Sequence, residues 1–170
     1  MKKYIAFLRG INVGNIRIKM PDLKDAFHEM GFQNAVTFLQ TGNVIFESKK
    51  NISEIKVILE KGLSETFHYQ AFVLLNDFDV LGEIIANYPF EKDENHHAYI
   101  IFIESESVFE ELITIAASIE EKVAKGNTVL YWKVPKGEST DTPFSKILAK
   151  AKYKSNTTVR NINTLEKMLE

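Results

Sequence analysis

The chain begins with the apolar run Tyr4-Ile5-Ala6-Phe7-Leu8, which ends at Arg9 and Gly10. A short run of this β-prone composition predicts a first strand. Pro21 then stands where a helix can start, because its missing N–H costs nothing in the first helical turn. Apolar residues at helical spacing follow it, and they predict an amphipathic helix after the first strand.

A hairpin and a second helix complete the first half of the chain. The strand-like runs Val36–Gln40 and Val44–Glu47 flank Thr41-Gly42-Asn43, whose glycine can take the positive φ that a hairpin requires. Apolar residues at helical spacing predict a helix over 52–67, and Ala71–Leu75 predicts a fourth strand. The resulting order, β-α-β-β-α-β, is that of a ferredoxin-like unit.

The second half repeats this order without repeating the sequence. The predicted strands are Ala98–Ile103, a weak one near Glu121–Ala124, Thr128–Val134 and Thr157–Arg160. Three helices are predicted here. The first has an apolar face that begins at Val108, the second begins at Thr142-Pro143 and has an apolar stripe that reaches Ala151, and the third ends the chain at Ile162–Leu169.

We therefore expect an α+β protein of two ferredoxin-like halves packed into one compact body. Residues 1–76 form the first half, 77–95 a linking helix and loop, and 96–170 the second half with a terminal helix. Most strands are apolar on both faces, as the first strand shows. A sheet that is apolar on both faces must be packed against other residues on both sides, and we expect each half of the chain to pack against the other.

Composition excludes several classes of protein. The 170 residues are 45% hydrophobic and 26% charged, which is typical of a globular chain and not of a disordered one. The absence of cysteine excludes disulfides and all-cysteine metal sites, and it suits a reducing compartment. No stretch approaches the ~18 apolar residues of a membrane span, and no secretory signal is evident. We expect a cytoplasmic protein with no membrane partner.

Charge is distributed unevenly along the chain. Residues 77–121 hold 12 acidic and 1 basic side chains, whereas residues 122–170 hold 10 basic and 4 acidic ones. Solvated faces are the ordinary interpretation of both segments. The basic segment, which includes Lys146 and Arg160, could also meet an anion.

The topology predicts a candidate site at one edge of the first sheet. In a ferredoxin-like sheet the end of the first strand lies beside the start of the third, which brings Arg9-Gly10 next to Gly42-Asn43. The residues expected near this edge are Arg9, Gly10, Asn12, Gly14, Lys19, Gln40, Gly42 and Asn43. Basic side chains beside a helix N-terminus attract phosphate, carboxylate or nucleotide ligands. The alternative is that Gly and Asn are turn residues and that Arg9 pairs with a carboxylate.

Stronger catalytic signatures are not found. The spacing of Gly10 and Gly14 does not match the dinucleotide fingerprint, and neither a phosphate-binding Gly-Lys-Ser motif nor a Gly-x-Ser-x-Gly elbow occurs. His96-His97 with Asp93 and Glu94 resembles a metal cluster in composition only, because neighbouring strand residues point to opposite faces. The sequence therefore assigns no metal, no cofactor and no catalytic residue.

Several motifs together resemble the DUF1697 family of bacterial proteins of unknown function. They are Tyr4–Gly14, Lys19-Met20, Leu39–Phe46, Ser145-Lys146 and Arg160–Leu165. The resemblance extends from residue 4 to about residue 169. It implies two ferredoxin-like halves but no established activity, substrate or cofactor. It also implies that Arg9, Asn12, Gln40 and Asn43 do more than shape turns.

Three positions depart from the pattern that this resemblance implies. The family usually has a second glycine where this chain has Asn15, serine where Thr41 stands, and an aromatic residue at the position of Ile162. The details of the pattern at Asn15 and Ile162 are therefore not carried over to this chain.

The residues support one principal hypothesis and several alternatives. The principal hypothesis is a binding protein for a small anionic ligand at the edge formed by Arg9 and Gly42. A single-stranded nucleic-acid-binding module is an alternative, because Tyr4, Phe7 and Phe46 lie on strands that could stack bases. The sequence pI of about 6.1 opposes it.

Two further alternatives remain at this point. An enzyme of unidentified reaction could use Arg9, Lys19, Lys146 and Arg160 to stabilise an anionic transition state. A protein-interaction domain could instead present the acidic segment 77–121 to its partner. The oligomeric state is not predicted by the sequence.

Overall fold

The computed structural model describes residues 1–12, 15–39 and 42–170. The chain divides into two compact units, Met1–Leu81 and Gly82–Glu170. Within the part of the chain that the structure describes, the fold is mixed α and β, with one four-stranded antiparallel sheet in each unit. The domain boundaries predicted from the sequence stay a prediction, because this division does not test which segments fold alone.

The first unit alternates strands and helices. Its elements are β1 (Lys2–Arg9), α1 (Met20–Glu29), β2 (Gln33–Phe38), β3 (Asn43–Ser48), α2 (Ile52–Phe67) and β4 (Phe72–Asp77). The strands lie in the order β2-β3-β1-β4, so that β1 pairs antiparallel with both β3 and β4. A 3₁₀ turn (Phe78–Val80) then leads into α3 (Leu81–Ala86).

Local sequence signals explain where the helices of this unit start and stop. Pro21 occupies the first turn of α1, and Gly31 follows that helix with φ at +93°. The side chain of Asn51 caps α2 by accepting a hydrogen bond from the backbone N–H of Glu54. The helix start predicted at Pro21 is confirmed, and the cap at Asn51 is a finding of the structure.

Strand β1 is buried on both faces. Tyr4, Ala6 and Leu8 pack against the apolar stripes of α1 and α2. Ile5 and Phe7 alternate with them, so they lie on the opposite face of the sheet, and both are fully buried. Two-sided burial of the first strand is confirmed. We call the face that carries Ile5 and Phe7 the outer face of the first sheet.

The second unit has the same strand order. Its elements are β5 (His96–Ile103), α4 (Glu106–Ala117), β6 (Lys122–Lys125), β7 (Val129–Pro135), α5 (Pro143–Leu148), α6 (Ala151–Lys154), β8 (Thr157–Asn161) and α7 (Ile162–Met168). The sheet runs β6-β7-β5-β8, which corresponds to β2-β3-β1-β4 strand by strand. The weak strand predicted near 121–124 is confirmed as β6.

Trp132 stands near the centre of the core of the second unit. Its ring lies 5.5 Å from that of Tyr99 and 5.6 Å from that of Phe144, between centroids. The other face of the same sheet contacts α3 and the residues that follow it. The Tyr131 hydroxyl donates to the carbonyl of Ile84 in α3 at 2.6 Å, and the Tyr88 ring lies against the Tyr131 ring.

Two sequence predictions need correction. The helix that begins at Pro143 does not reach Ala151: α5 ends at Leu148, Lys150 is extended, and Ala151 starts α6. Strand β2 begins at Gln33, three residues earlier than predicted, and it ends at Phe38, before Leu39 takes a positive φ of 55°. The predicted end of this strand, Gln40, lies outside the described residues. Across the described residues, every helix is too short or too polar to cross a lipid bilayer.

Candidate functional site

The predicted edge of the first sheet forms as expected. Phe7 lies opposite Asn43 in the register of β1 and β3, and the backbone N–H of Leu8 donates to the carbonyl of Gly42 at 2.8 Å. Arg9 and Gly10 follow directly in the chain. The confirmed pairing of β1 with β3 brings this end of β1 next to Gly42 and Asn43, and the use of this edge as a binding site stays a prediction.

The two glycines at this edge have different surroundings. Both have a positive φ, +73° at Gly10 and +85° at Gly42. A Cβ atom at Gly42 would lie 2.8 Å from Leu8 Cβ and from Ile11 Cδ1, whereas a Cβ atom at Gly10 would have no neighbour within 4 Å. Gly42 is thus required by packing, and Gly10 leaves the adjacent backbone open.

Arg9 is the half-buried cation of this edge. It continues the row of Ile5 and Phe7 on the outer face, opposite to the face on which α1 packs. Burial lowers the pKa of its guanidinium from the ordinary value. No ion-pair or hydrogen-bond partner of its side chain is found among residues 1–12, 15–39 and 42–170, so the carboxylate expected in the alternative interpretation is not found there.

Asn12 closes the loop that follows β1. Its Oδ1 accepts from the backbone N–H of Ile18 at 3.0 Å, and its Nδ2 donates to the Ile18 carbonyl at 3.3 Å. The residue has a φ of 54°, which asparagine tolerates better than most residues. The side chain amide thus holds the loop together and brings the start of α1 to the same end of the sheet.

Asn43 is fully buried. Its Nδ2 donates to the carbonyl of Phe38 at 2.9 Å, which links the end of β2 to the start of β3. The side chain of Asn43 therefore shapes the hairpin from inside and does not reach solvent beside Arg9.

The remaining predicted residues lie in different places. Lys19 is exposed just before α1, on the side of the sheet opposite to Arg9. Gly14 and Gln40 lie outside the described residues. Lys146 and Arg160 belong to the second unit: Lys146 is exposed in the last turn of α5, and Arg160 is half-buried on β8 opposite Ile100.

Asp93 lies in a polar network whose contacts were not predicted from the sequence. This carboxylate contacts His96 Nδ1 at 2.8 Å and the nearly buried Lys133 Nζ at 2.9 Å, and it accepts from the backbone N–H of Asn95. The hydrogen bonds from His96 and Lys133 hold the pKa of Asp93 well below its usual range. Among the described residues, no three His, Asp or Glu side chains are placed to hold a metal ion.

The aromatic residues considered for base stacking are not exposed. Tyr4 and Phe46 belong to the core under α1 and α2, with ring centroids 5.9 Å apart, and Phe7 is fully buried. A base-stacking platform needs open ring faces. These three residues do not provide one.

The described residues form a mixed α and β protein with two four-stranded antiparallel sheets. Comparison with family models matches residues 1–131 to the family described as Protein of unknown function (DUF1697). The chain belongs to this family, and no specific function is thereby assigned to it.

A solved structure with a similar fold was found. A conserved bacterial protein from Streptococcus pneumoniae superposes with a TM-score of 0.81 and 22% sequence identity, over 99% of this chain and 96% of that one. At this identity the likeness shows the fold alone. No curated protein matches the chain.

Proposed function

We propose that the protein binds a small anionic ligand, a phosphate, carboxylate or nucleotide, at the edge formed by Arg9, Gly10 and Gly42. One observation carries the proposal. The Arg9 guanidinium is half-buried, and it has no partner among the described residues.

Partial burial of this cation, with no counter-ion among the described residues, is the physical reason to expect an anion at this edge. A cation that loses part of its hydration without gaining a partner raises the free energy of the folded protein. A bound oxyanion compensates for the lost hydration, and the planar guanidinium can donate two parallel hydrogen bonds to it. The binding free energy therefore includes the relief of an unfavourable state of the free protein.

The backbone near Arg9 supports close approach of a ligand. Gly10 is exposed and carries no Cβ, so a ligand can reach the main chain at this position. Lys19 is exposed at the same end of the sheet and adds longer-range attraction for anions. Gly14 and Gln40, which lie outside the described residues, stay predicted contributors to this edge. Lys146 and Arg160 belong to the second unit and stay predicted anion-binding residues of the sequence.

The experiment compares three variants with the unaltered protein in thermal-shift and calorimetric titrations. The probes are inorganic phosphate, citrate and AMP. Arg9→Gln removes the cation, Arg9→Lys keeps the charge but loses the planar fork, and Arg17→Gln removes an exposed cation in the same loop as the control. A ligand at 100 times its Kd should raise the stability of a binding protein by about 2.7 kcal/mol.

We expect a stabilising shift with at least one probe in the unaltered protein and in Arg17→Gln. The shift should be smaller in Arg9→Lys and absent in Arg9→Gln. Equal responses of all four proteins to every probe would remove Arg9 from ligand binding.

The alternatives from the sequence are tested by the same set of proteins. Nucleic-acid binding would have to use a surface other than Tyr4, Phe7 and Phe46. An enzymatic function would show as turnover of a phosphate ester or carboxylic ester that Arg9→Gln slows. Both stay predictions.

We also propose that each unit has the ferredoxin-like topology and that the protein is cytoplasmic. The alternation of strands and helices and the matching sheet orders β2-β3-β1-β4 and β6-β7-β5-β8 support the topology. The absence of cysteine supports a reducing compartment. The packing of the two halves into one body stays a prediction of the sequence.

A further inference from the structure

A cavity lies in the second unit, beside the break between α5 and α6. Its volume is about 380 Å³, within the range of small-molecule sites. Leu148, the last residue of α5, and Lys154, the last residue of α6, both line it. The described residues that line it all belong to the second unit, and none of them belongs to the Arg9 edge.

The sheet gives this cavity an aromatic wall. Tyr99 of β5 and Trp132 of β7 lie opposite one another in the strand register, with ring centroids 5.5 Å apart. Val159 of β8 lines the cavity from the same face, because it is opposite Ile101, two residues from Tyr99. Trp132 is buried, whereas Tyr99 is half-buried. The ring of Tyr99 is therefore the aromatic surface that a ligand reaches most readily.

The helical side of the cavity is apolar as well. Leu148 packs in the core of the second unit together with Trp132, and Ala149 follows it at the end of α5. Lys150 is extended and interrupts the helical layer directly after them. Because apolar side chains line the cavity from the sheet and from the helices, transfer of an apolar group from water into it is favourable.

Lys154 is the one charged side chain among the described residues that line the cavity. It is exposed, and its ammonium group has no carboxylate partner within 1–12, 15–39 and 42–170. Lys152, two residues earlier, is by contrast paired with Glu111 at 2.6 Å. A cavity lined by an unpaired cation favours a ligand that carries a negative charge.

The hydroxyl of Ser145, which also lines the cavity, is already bonded within α5. Its Oγ donates to the carbonyl of Thr142 at 2.8 Å, so its proton is not offered to a ligand. A carboxylate only accepts hydrogen bonds, and Ser145 therefore gives it no donor. Neutralisation of a carboxylate in this cavity depends on Lys154.

We propose that this cavity binds a small aromatic carboxylate. The ring of the ligand lies against Tyr99, and its carboxylate pairs with Lys154. Burial of the ring removes apolar area from water, and contact between two aromatic rings adds to this gain. The long side chain of lysine pairs with an anion without a fixed fork of donors. The proposal does not rest on the function proposed at Arg9.

The experiment compares phenylacetate with two analogues that each lack one feature. Phenylacetamide keeps the ring and loses the charge, and cyclohexylacetate keeps the charge and loses the aromatic ring. Binding is followed by NMR titration of the indole N–H of Trp132, which is the single tryptophan of the chain. We expect phenylacetate to bind roughly threefold more tightly than phenylacetamide, the effect of an exposed ion pair. It should also bind roughly threefold more tightly than cyclohexylacetate, the effect of an aromatic pair.

A matched pair of lysine variants assigns the charge. Lys154→Gln should bring the ratio of phenylacetate to phenylacetamide affinity to about one. Lys152→Gln removes an exposed lysine of the same helix that is already paired, and it should keep the ratio of the unaltered protein. An unchanged ratio in Lys154→Gln, or no response of the Trp132 signal to phenylacetate in the unaltered protein, would overturn the proposal.

A direct measurement on the unaltered protein places the ring of the ligand. We expect nuclear Overhauser effects between the ring protons of phenylacetate and those of Tyr99. Effects confined to residues of the first unit would overturn the proposal. Arg9→Gln should leave both affinity ratios unchanged, so that failure at this cavity and failure at the Arg9 edge are distinguished.

Discussion

The backbone N–H of Leu8 donates to the carbonyl of Gly42 at 2.8 Å, so the end of β1 is fixed against the residue that precedes β3. This bond lies next to the two closest approaches at Gly42, from Leu8 Cβ and Ile11 Cδ1. Ile11, which follows β1, can therefore pack at this position only because residue 42 has no side chain. The position of Arg9 depends on this contact.

Gly42→Ala should destabilise the protein by about 2–4 kcal/mol, because overpacking adds to the strain of a positive φ. Gly10→Ala is the matched control: it has a similar φ but open space, and it should cost about 1 kcal/mol. Urea unfolding of both variants measures the difference. Equal losses would show that the contacts at Gly42 relax without cost.

Arg9→Met should leave the fold intact and raise the free energy of unfolding by about 0.5–1 kcal/mol. The half-buried guanidinium has no partner among the described residues, and methionine fills similar space without a charge to desolvate. Anion binding at the edge should be lost in the same variant. A marked loss of stability would instead indicate that Arg9 has a structural role.

Asp93→Asn should make the protein less stable at neutral pH, and the difference should disappear in acid. The folded-state pKa of Asp93 lies below its unfolded value, so the carboxylate stabilises the fold above about pH 4 and loses this effect as the pH falls further. Thermal unfolding between pH 2 and pH 7 follows the change. Glu94→Gln, which removes an exposed neighbouring carboxylate, is the control for the loss of one negative charge.

Tyr69→Phe and Tyr131→Phe remove the same hydroxyl and should have opposite effects. The Tyr69 hydroxyl is buried without a hydrogen-bond partner in the described part of the chain, so its removal should stabilise the protein by up to about 1 kcal/mol. The Tyr131 hydroxyl donates to Ile84, so its removal should cost about 1 kcal/mol. Denaturant midpoints of the two variants on opposite sides of the unaltered value are the expected result.

The raised pKa of Tyr69 predicts that the protein loses stability at alkaline pH. Burial raises the pKa of Tyr69 to about 12, while the unfolded chain releases this proton near pH 10. The free energy of unfolding should therefore fall between pH 10 and pH 12, and Tyr69→Phe should reduce the slope. An unchanged slope would show that the hydroxyl ionises in the folded state as it does in water.

The periodicity of the sequence was sufficient to predict most elements of the fold. Apolar spacing, Pro21, Thr142-Pro143 and the glycine before Asn43 identified the strands, the helix starts and the hairpin. The break between α5 and α6 was missed because Lys150, which is extended there, gives no local signal in the sequence.

The candidate site was predictable only in part. Strand order was enough to place Arg9 beside Gly42, since pairing follows from topology. The burial of Asn43 and the use of the Asn12 amide within its own loop depend on side-chain packing, which spacing does not encode. The pairing of Lys133 with Asp93 joins residues 40 positions apart, and it becomes visible only in the register of β5 and β7.

Trp132 is the single tryptophan of the chain, and it lies in the core of the second unit between Tyr99 and Phe144. Intrinsic fluorescence excited at the red edge of protein absorption therefore reports on one unit alone, whereas circular dichroism senses both. Superimposable melting curves from the two signals would mean that the units lose their structure as a single cooperative block. A gap between the curves would reveal an intermediate in which one unit remains ordered after the other has melted.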